Sequence, residues 1–552
     1  MLLLLLFRAA SALVPQPTQR TLNEGSGMPG QAEQGGSSGH PLHAVVILVD
    51  DLGYSDTEHM GAEYSTPHIS KLAKAGVQLN QSYASTVCSP SRASLLSSRY
   101  AYHVGMDGEV LKRGDARCLN VTTVGQQMKR NGVHTAFIGK QDVGYSSWVC
   151  TPNCNGFDYF LGFYGPAQYY YLHGVSPQSL DFHENFAQAP QYVGEYSTNL
   201  FTRKAIEWIR NTTNANPNPS TFLYFSTQAV HTPLDAPPGN WPGCSHIGDT
   251  NRRTYCAIAQ SLDEGIGNLT QAYKNLGIFD DTVFLFLSDN GGDTTEGGFN
   301  MPLRGGKGSL WEGGVRTQTF LHWSGFSTRV SGSTWGGMAH VADWGVTLTA
   351  ALGHVASKPA GEPDFDGVNL WPALQSGDAS PRTEILLSMR AAGECVGKDP
   401  LCRHPGYLAY RKGRWKLIYG KPGLSGSDEC GWQNGGVSCP NGWAVPHDSG
   451  PSRRPPFIAG RNSDTSIFEW GGAMLFDIES DPLEEHELSE RYPDIVRDLA
   501  KKLALLNVSH IDQSTFPPVE DVGVPDFEKC GDGKKLRCAM PWLGPRGASC
   551  PA

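Results

Sequence analysis

No apolar run beyond the first few residues of this 552-residue chain reaches the roughly 18 residues that a membrane-spanning helix needs, so no span is expected. Basic charge is also short: 44 Lys and Arg stand against 54 Asp and Glu, a net charge of −10. Binding a phosphate backbone requires a basic face, so nucleic acid is excluded as a partner. An anionic substrate must instead be held by a few placed Lys and Arg. No internal repeat is present. Cys150 and Cys154 are spaced like metal ligands but have no second close pair, so each is expected to form a disulfide with another partner.

What is present suits a secreted, turn-rich α/β protein. The 65 Gly and 37 Pro imply many turns rather than disorder. Met1 to Leu6 followed by Ala9, Ala10, Ser11 and Ala12 reads as a short signal peptide within residues 1–15, and residues 16–42 as a flexible Gly/Ser/Pro/Gln leader. Thirteen Cys is an odd number, and setting Cys88 aside leaves an even set suited to an oxidising compartment. Sequons at Asn80, Asn120, Asn211, Asn268 and Asn507 fit the same route, with lysosomal or extracellular residence.

From His43 onward, strand-length apolar runs alternate with helix-like stretches such as Ile69 to Gly76 and Val124 to Arg130. That alternation predicts a mostly parallel sheet flanked by helices over residues 43–380. Four runs deliver polar groups at their ends. Ala44 to Val49 precedes Asp50 and Asp51; Thr135 to Ile138 precedes Lys140; Phe222 to Phe225 precedes His231; Val283 to Leu287 precedes Asp289 and Asn290. In an open α/β sheet the carboxyl ends of the strands border the ligand crevice, so these groups are expected to converge. Residues 381–552 read as a smaller antiparallel sheet with a helix over Pro493 to Leu506. Within it, 421–462 is a loop insertion in which Cys430 and Cys439 are expected to pair.

The most specific local signal is Cys88-Ser89-Pro90-Ser91-Arg92, ahead of an amphipathic segment, Ala93 to Arg99, expected to be helical with Cys88 near its N-terminus. On chemistry alone this could be a reactive low-pKa thiol or a structural Cys. Val49-Asp50-Asp51-Leu52-Gly53 stands before it and Ser288-Asp289-Asn290-Gly291-Gly292 after it. Thr66-Pro67-His68, His231-Thr232-Pro233, Gly306-Lys307-Gly308, Leu475-Phe476-Asp477 and Asp481-Pro482 complete the set. Together these motifs resemble the formylglycine-dependent sulfatases from about His43 to Leu506, and Gly313-Gly314-Val315-Arg316 is closest to the arylsulfatase B-like branch.

The resemblance implies an alkaline-phosphatase-like fold and hydrolysis of sulfate esters, by analogy those of sugars. It also implies that a formylglycine-generating enzyme oxidises Cys88, whose hydrated aldehyde attacks sulfur as a geminal diol. Asp50, Asp51, Asp289 and Asn290 offer only oxygen donors, which suits a hard cation. The resemblance names it as calcium, with the oxidised Cys88 as a further ligand. By motif position Arg92 orients the diol, Lys140 and Lys307 bind sulfate oxygens, and His231 faces the leaving oxygen as proton donor or hydrogen-bond partner.

Two departures stand out. The family's Lys-x-His is here Lys140-Gln141-Asp142, so a carboxylate replaces the base that serves sulfate release. Asp142 is either a substitute base or the mark of a weakened sulfatase-like protein that binds sulfated glycans. A phosphate- or phosphonate-ester hydrolase of similar architecture is a third reading, disfavoured by Cys88. The second departure is Ser97-Ser98-Arg99 where Thr-Gly-Arg is common. The aromatic run Tyr169 to Tyr171 reads as core or interface ahead of a sugar-stacking surface.

Overall fold

The computed structural model describes residues 42–106, 110, 111, 115, 117–177, 179–239, 241–390, 407–419, 422, 473–507, 528, 529, 537, 538 and 550. The signal peptide and leader, apart from residue 42, lie outside these residues. So does the 421–462 insertion with its Cys430–Cys439 pairing, apart from Pro422. Gly39–Ala552 forms one compact unit.

Its centre is a ten-stranded sheet. Four parallel strands carry the site: β1 (His43–Val49), β2 (His134–Lys140), β3 (Thr221–Ser226) and β4 (Thr282–Ser288). They lie side by side in the order β4-β1-β3-β2. Every residue of β1, β3 and β4 is buried, as expected of strands covered on both faces. Alternation divides them between two cores. Ala44, Val46 and Leu48 pack with Tyr224 and Leu285 on one face, and Val45, Ile47 and Val49 with Phe225 and Phe286 on the other. Antiparallel strands join at both sides, Thr319–His322 beside β4 and His183–Glu184 beyond Tyr159–Phe163.

The small sheet is antiparallel and runs Glu384–Arg390, Tyr407–Lys412, Trp415–Tyr419, Ala473–Asp477. Helix Pro493–Asn507 covers one face through Val496, Leu499 and Leu503. The other face packs Ile385, Ala409 and Ile418 against Tyr83, Trp311 and Val315 of the larger part. Lys416 is fully buried at this seam, with Nζ 2.9 Å from Glu312 Oε1 and 2.8 Å from Glu484 Oε1. Removing both carboxylates would leave the Lys416 charge unpaired in the interior.

Disulfides join Cys118–Cys150, Cys154–Cys550 and Cys244–Cys256, and Cys88 is free and buried. Cys150 and Cys154 thus bond to separate partners rather than to a metal. Asn120, Asn211 and Asn268 are exposed, and Asn80 is half-buried. Among the described residues, no helix is long and apolar enough to cross a membrane.

The segment after the cysteine motif differs from expectation. Helix α1 runs Cys88–Ser97 and is buried on every side, so none of its faces meets solvent. It ends at Ser98, in the left-handed region at φ 55°, with its hydroxyl buried and unpartnered. A non-glycine residue there costs roughly 1–2 kcal/mol, and an unmet buried hydroxyl adds to it. Ser98→Gly is therefore expected to stabilise the fold by about 1 kcal/mol after the entropy lost to glycine. Chemical denaturation measures this, and a lower midpoint would show that hydroxyl packing over Gly345 matters more.

Candidate active site

Strand register brings the functional side chains level. Val49 lies opposite Ser288, and Leu48 and Gly139 both lie opposite Ser226. Asp50, Lys140 and Asp289 therefore emerge along one sheet edge. The N-terminus of α1 faces the same edge, placing Arg92 one turn inside the helix. Arg92 is fully buried and binds Asp289 Oδ2 through Nε (2.9 Å) and Nη2 (2.7 Å). Its Nη2 also reaches Asp50 Oδ1 at 3.2 Å, and Nη1 donates to Ser226 Oγ (2.7 Å) and the Lys140 carbonyl (3.1 Å). A planar fork with five donors suits this task, whereas a lysine could meet only part of it.

Lys140 Nζ sits between the two oxygens of Asp50, at 2.9 and 2.8 Å. Asp142 follows in the left-handed region at φ 52°, which Asp, Asn and His tolerate better than most residues. Its Oδ1 accepts from Ser89 Oγ at 2.9 Å, and Ser89 is itself fixed by the Leu111 N–H at 2.9 Å. Its Oδ2 is buried without a hydrogen-bond partner, 3.8 Å from Lys140 Nζ. Burial outweighs the nearby Lys140 and Arg92 charges and pushes the Asp142 carboxyl up to about 6.

Lys307 Nζ closes the opposite side, 2.6 Å from Asp51 Oδ2 and 3.1 Å from His231 Nε2. Burial and the adjacent Lys307 charge push His231 down to about 3. Its Nδ1 bonds the Thr232 carbonyl, which assigns the proton to Nδ1 and leaves Nε2 as acceptor from Lys307. Within this pair Lys307 is thus the hydrogen-bond donor. Against the cost of burial, Asp51 holds the Lys307 ammonium well above its usual range.

Donor atoms of Asp50, Asp51, Cys88 and His231 lie within 4.8 Å of one another. Asn290 Nδ2 donates to Asp51 Oδ1 at 2.8 Å, while Asn290 Oδ1 is buried with no partner. An unpartnered buried carbonyl beside two carboxylates is the donor a hard cation takes up. Asp289 stands differently, with Oδ2 held by Arg92 and Oδ1 accepting from the Asp51 N–H at 3.2 Å. Cys88 is 1% exposed, and burial pushes its thiol well above the ordinary value despite Lys140 and Lys307.

The structure thus gathers Asp50, Asp51, Cys88, Arg92, Lys140, Asp142, His231, Asp289, Asn290 and Lys307 into one cluster inside residues 43–380. Of the run Tyr169 to Tyr171, Tyr170 is buried in the core, Tyr171 is half-buried against it and Tyr169 is exposed; the Tyr170 hydroxyl donates to the His231 carbonyl at 3.1 Å. Sequence reasoning missed Ser226, Ser89 and Asn300. Ser226 carried a usable signal, since it ends a strand whose neighbours all carry site residues.

A sulfatase family model matches residues 43–352. Arylsulfatase J of Mus musculus is 32% identical over 500 residues, covering 86% of this chain and 77% of the relative. N-acetylgalactosamine-6-sulfatase of Mus musculus is 25% identical over 383 residues, 62% of this chain and 68% of the relative. The solved PsFucS1 sulfatase from Pseudoalteromonas sp. shares the fold, with a TM-score of 0.62 at 21% identity, covering 87% of this chain and 92% of that one. Given a family match over more than half the chain and a relative that similar along most of it, the chain belongs to the sulfatase family and is a sulfuric ester hydrolase.

Proposed function

We propose that the chain hydrolyses sulfate esters of sugars through a formylglycine made from Cys88, with calcium held by Asp50, Asp51, Asp289 and Asn290. The observation that carries this reading is the free Cys88 at a helix N-terminus, its sulfur clustered with the Asp50, Asp51 and His231 donors. The unpartnered Asn290 Oδ1 fits a cation. Sugar esters are supported by the relative named N-acetylgalactosamine-6-sulfatase. Three disulfides and three exposed sequons support a secretory route.

The hydrated aldehyde supplies an attacking oxygen and a second hydroxyl whose deprotonation expels sulfate. Bound calcium supplies charge to neutralise sulfate oxygens. Lys140 and Lys307 are bound to Asp50 and Asp51, and a cation held by the same carboxylates would leave both ammonium groups to bind sulfate oxygens. Lys307, which already donates to His231 Nε2, is placed to protonate the leaving oxygen, with His231 orienting it. Arg92 holds Asp50 and Asp289 in place from behind. Asp142, with one oxygen fixed by Ser89 and the other buried and unpartnered, takes the proton that releases sulfate.

The test is sulfate release from a simple aryl sulfate by protein coexpressed with a formylglycine-generating enzyme. Release is expected, with loss on chelation and recovery on adding calcium. Full activity in chelator would remove the cation from the reading. No release despite an aldehyde found at position 88 by mass spectrometry would favour a glycan-binding pocket.

A further inference from the structure

We propose that Asn300 is a positioning residue whose side-chain amide holds the three loops of the sulfatase site in register; this rests on the cation reading above. Asn300 is 3% exposed. Its Oδ1 accepts from the Gly292 N–H at 2.8 Å and the Tyr54 N–H at 3.3 Å. Its Nδ2 donates to the Gly292 carbonyl at 2.9 Å, and that carbonyl also accepts from the Lys307 N–H at 3.1 Å. One amide thereby ties the loop after Asp50 and Asp51, the loop after Asp289 and Asn290, and the loop carrying Lys307.

The loops meet backbone to backbone, with no room for side chains. A Cβ on Gly53 would lie 2.2 Å from the Phe299 carbonyl oxygen, and one on Gly292 would lie 2.7 Å from Gly53 Cα. A Cβ on Gly306 would meet Gly292 O at 2.8 Å and Asn300 Nδ2 at 2.9 Å. A shift of one loop is therefore passed to the others. Only an uncharged amide offers both the donor and the acceptor that Gly292 needs. Alanine would strand two buried N–H groups, and aspartate would set a carboxylate oxygen against the Gly292 carbonyl.

The experiment uses the full chain and follows thermal stabilisation by calcium for wild type, Asn300→Ala and Asn300→Asp, beside kcat and KM. Residues that support metal ligands cost about 10–100-fold in metal affinity when replaced. Both variants are expected to need about that much more calcium for half-maximal stabilisation. Their melting temperatures in chelator should stay within a few degrees of wild type, and kcat should recover at saturating calcium. Aspartate is the sharper probe, because its added negative charge would tighten cation binding if charge alone mattered. A wild-type calcium midpoint in Asn300→Asp overturns the proposal, as does failure of both variants to fold, which would assign the amide to stability alone. A wild-type protein that shows no calcium stabilisation refutes the cation reading itself and this inference with it, an outcome distinct from the other two.

Discussion

Cys88→Ala is expected to lower sulfate release by on the order of 10³-fold or more, the scale seen when a nucleophile is removed from an otherwise intact site. Cys88→Ser is expected to behave differently. A serine hydroxyl can take the sulfuryl group and release one equivalent of alcohol, but it has no second hydroxyl to expel sulfate, so turnover stops. Both substitutions are small and lie at the buried start of α1, so folding should persist. Arg92, Lys140 and Lys307 keep partners other than the thiol. The measurement is alcohol and sulfate release followed separately, with calcium stabilisation as the check on the site. Alanine at position 88 with a tenth or more of wild-type turnover would place the nucleophile elsewhere.

The second large effect falls on Asp142. Asp142→Asn keeps the size, the tolerance for the left-handed region and an acceptor for Ser89, but it removes the base. General base catalysis contributes about 10²–10⁴-fold, so steady-state turnover should fall by that factor while the first equivalent of alcohol still leaves at close to the wild-type rate. The pH dependence follows from the sign of the shift. Burial raises the carboxyl to about 6, and the base works only when deprotonated. Wild-type turnover should therefore climb as pH rises through about 6, and Asp142→Asn should lose that limb. Asp142→His separates the readings further. A tenfold gain in turnover would mark the natural chain as a weakened sulfatase, whereas equal or lower turnover supports a working carboxylate base.

The central strands were legible because residues such as Val45 to Val49 are apolar without alternation, which only a doubly covered parallel strand permits. The site was legible where chemistry concentrates directly after a strand, as at Asp50 and Asp289, or within a tight motif, as at Cys88 and Arg92. What stayed hidden shares a different character. Ser89 is an ordinary residue in sequence and meets Asp142, 53 positions further along the chain, only once the chain between them folds. Asn300 reaches Tyr54 across 246 residues from a turn-rich stretch where any asparagine reads as a loop former. The segment Ala93 to Arg99 reads as amphipathic, yet Ser94 and Ser97 within it are buried, as is Ser91 one turn before. Ser91 and Ser97 donate to backbone carbonyls at Val87 and Ala93.

Burial of Cys88 also sets an order of events. With 1% of the residue exposed and the thiol held neutral, the finished fold offers no approach to a modifying enzyme. On the proposed formylglycine reading, oxidation of this side chain would have to be complete while the segment around Pro90 is still extended. Cysteines elsewhere in the chain form disulfides, so on the same reading an early encounter with any of them would consume the thiol that the modification needs. Maturation would then be a contest of rates, in which modification has to outrun both disulfide exchange and the closing of α1 over the sheet edge. A molecule that folds first would be sealed as an inactive product.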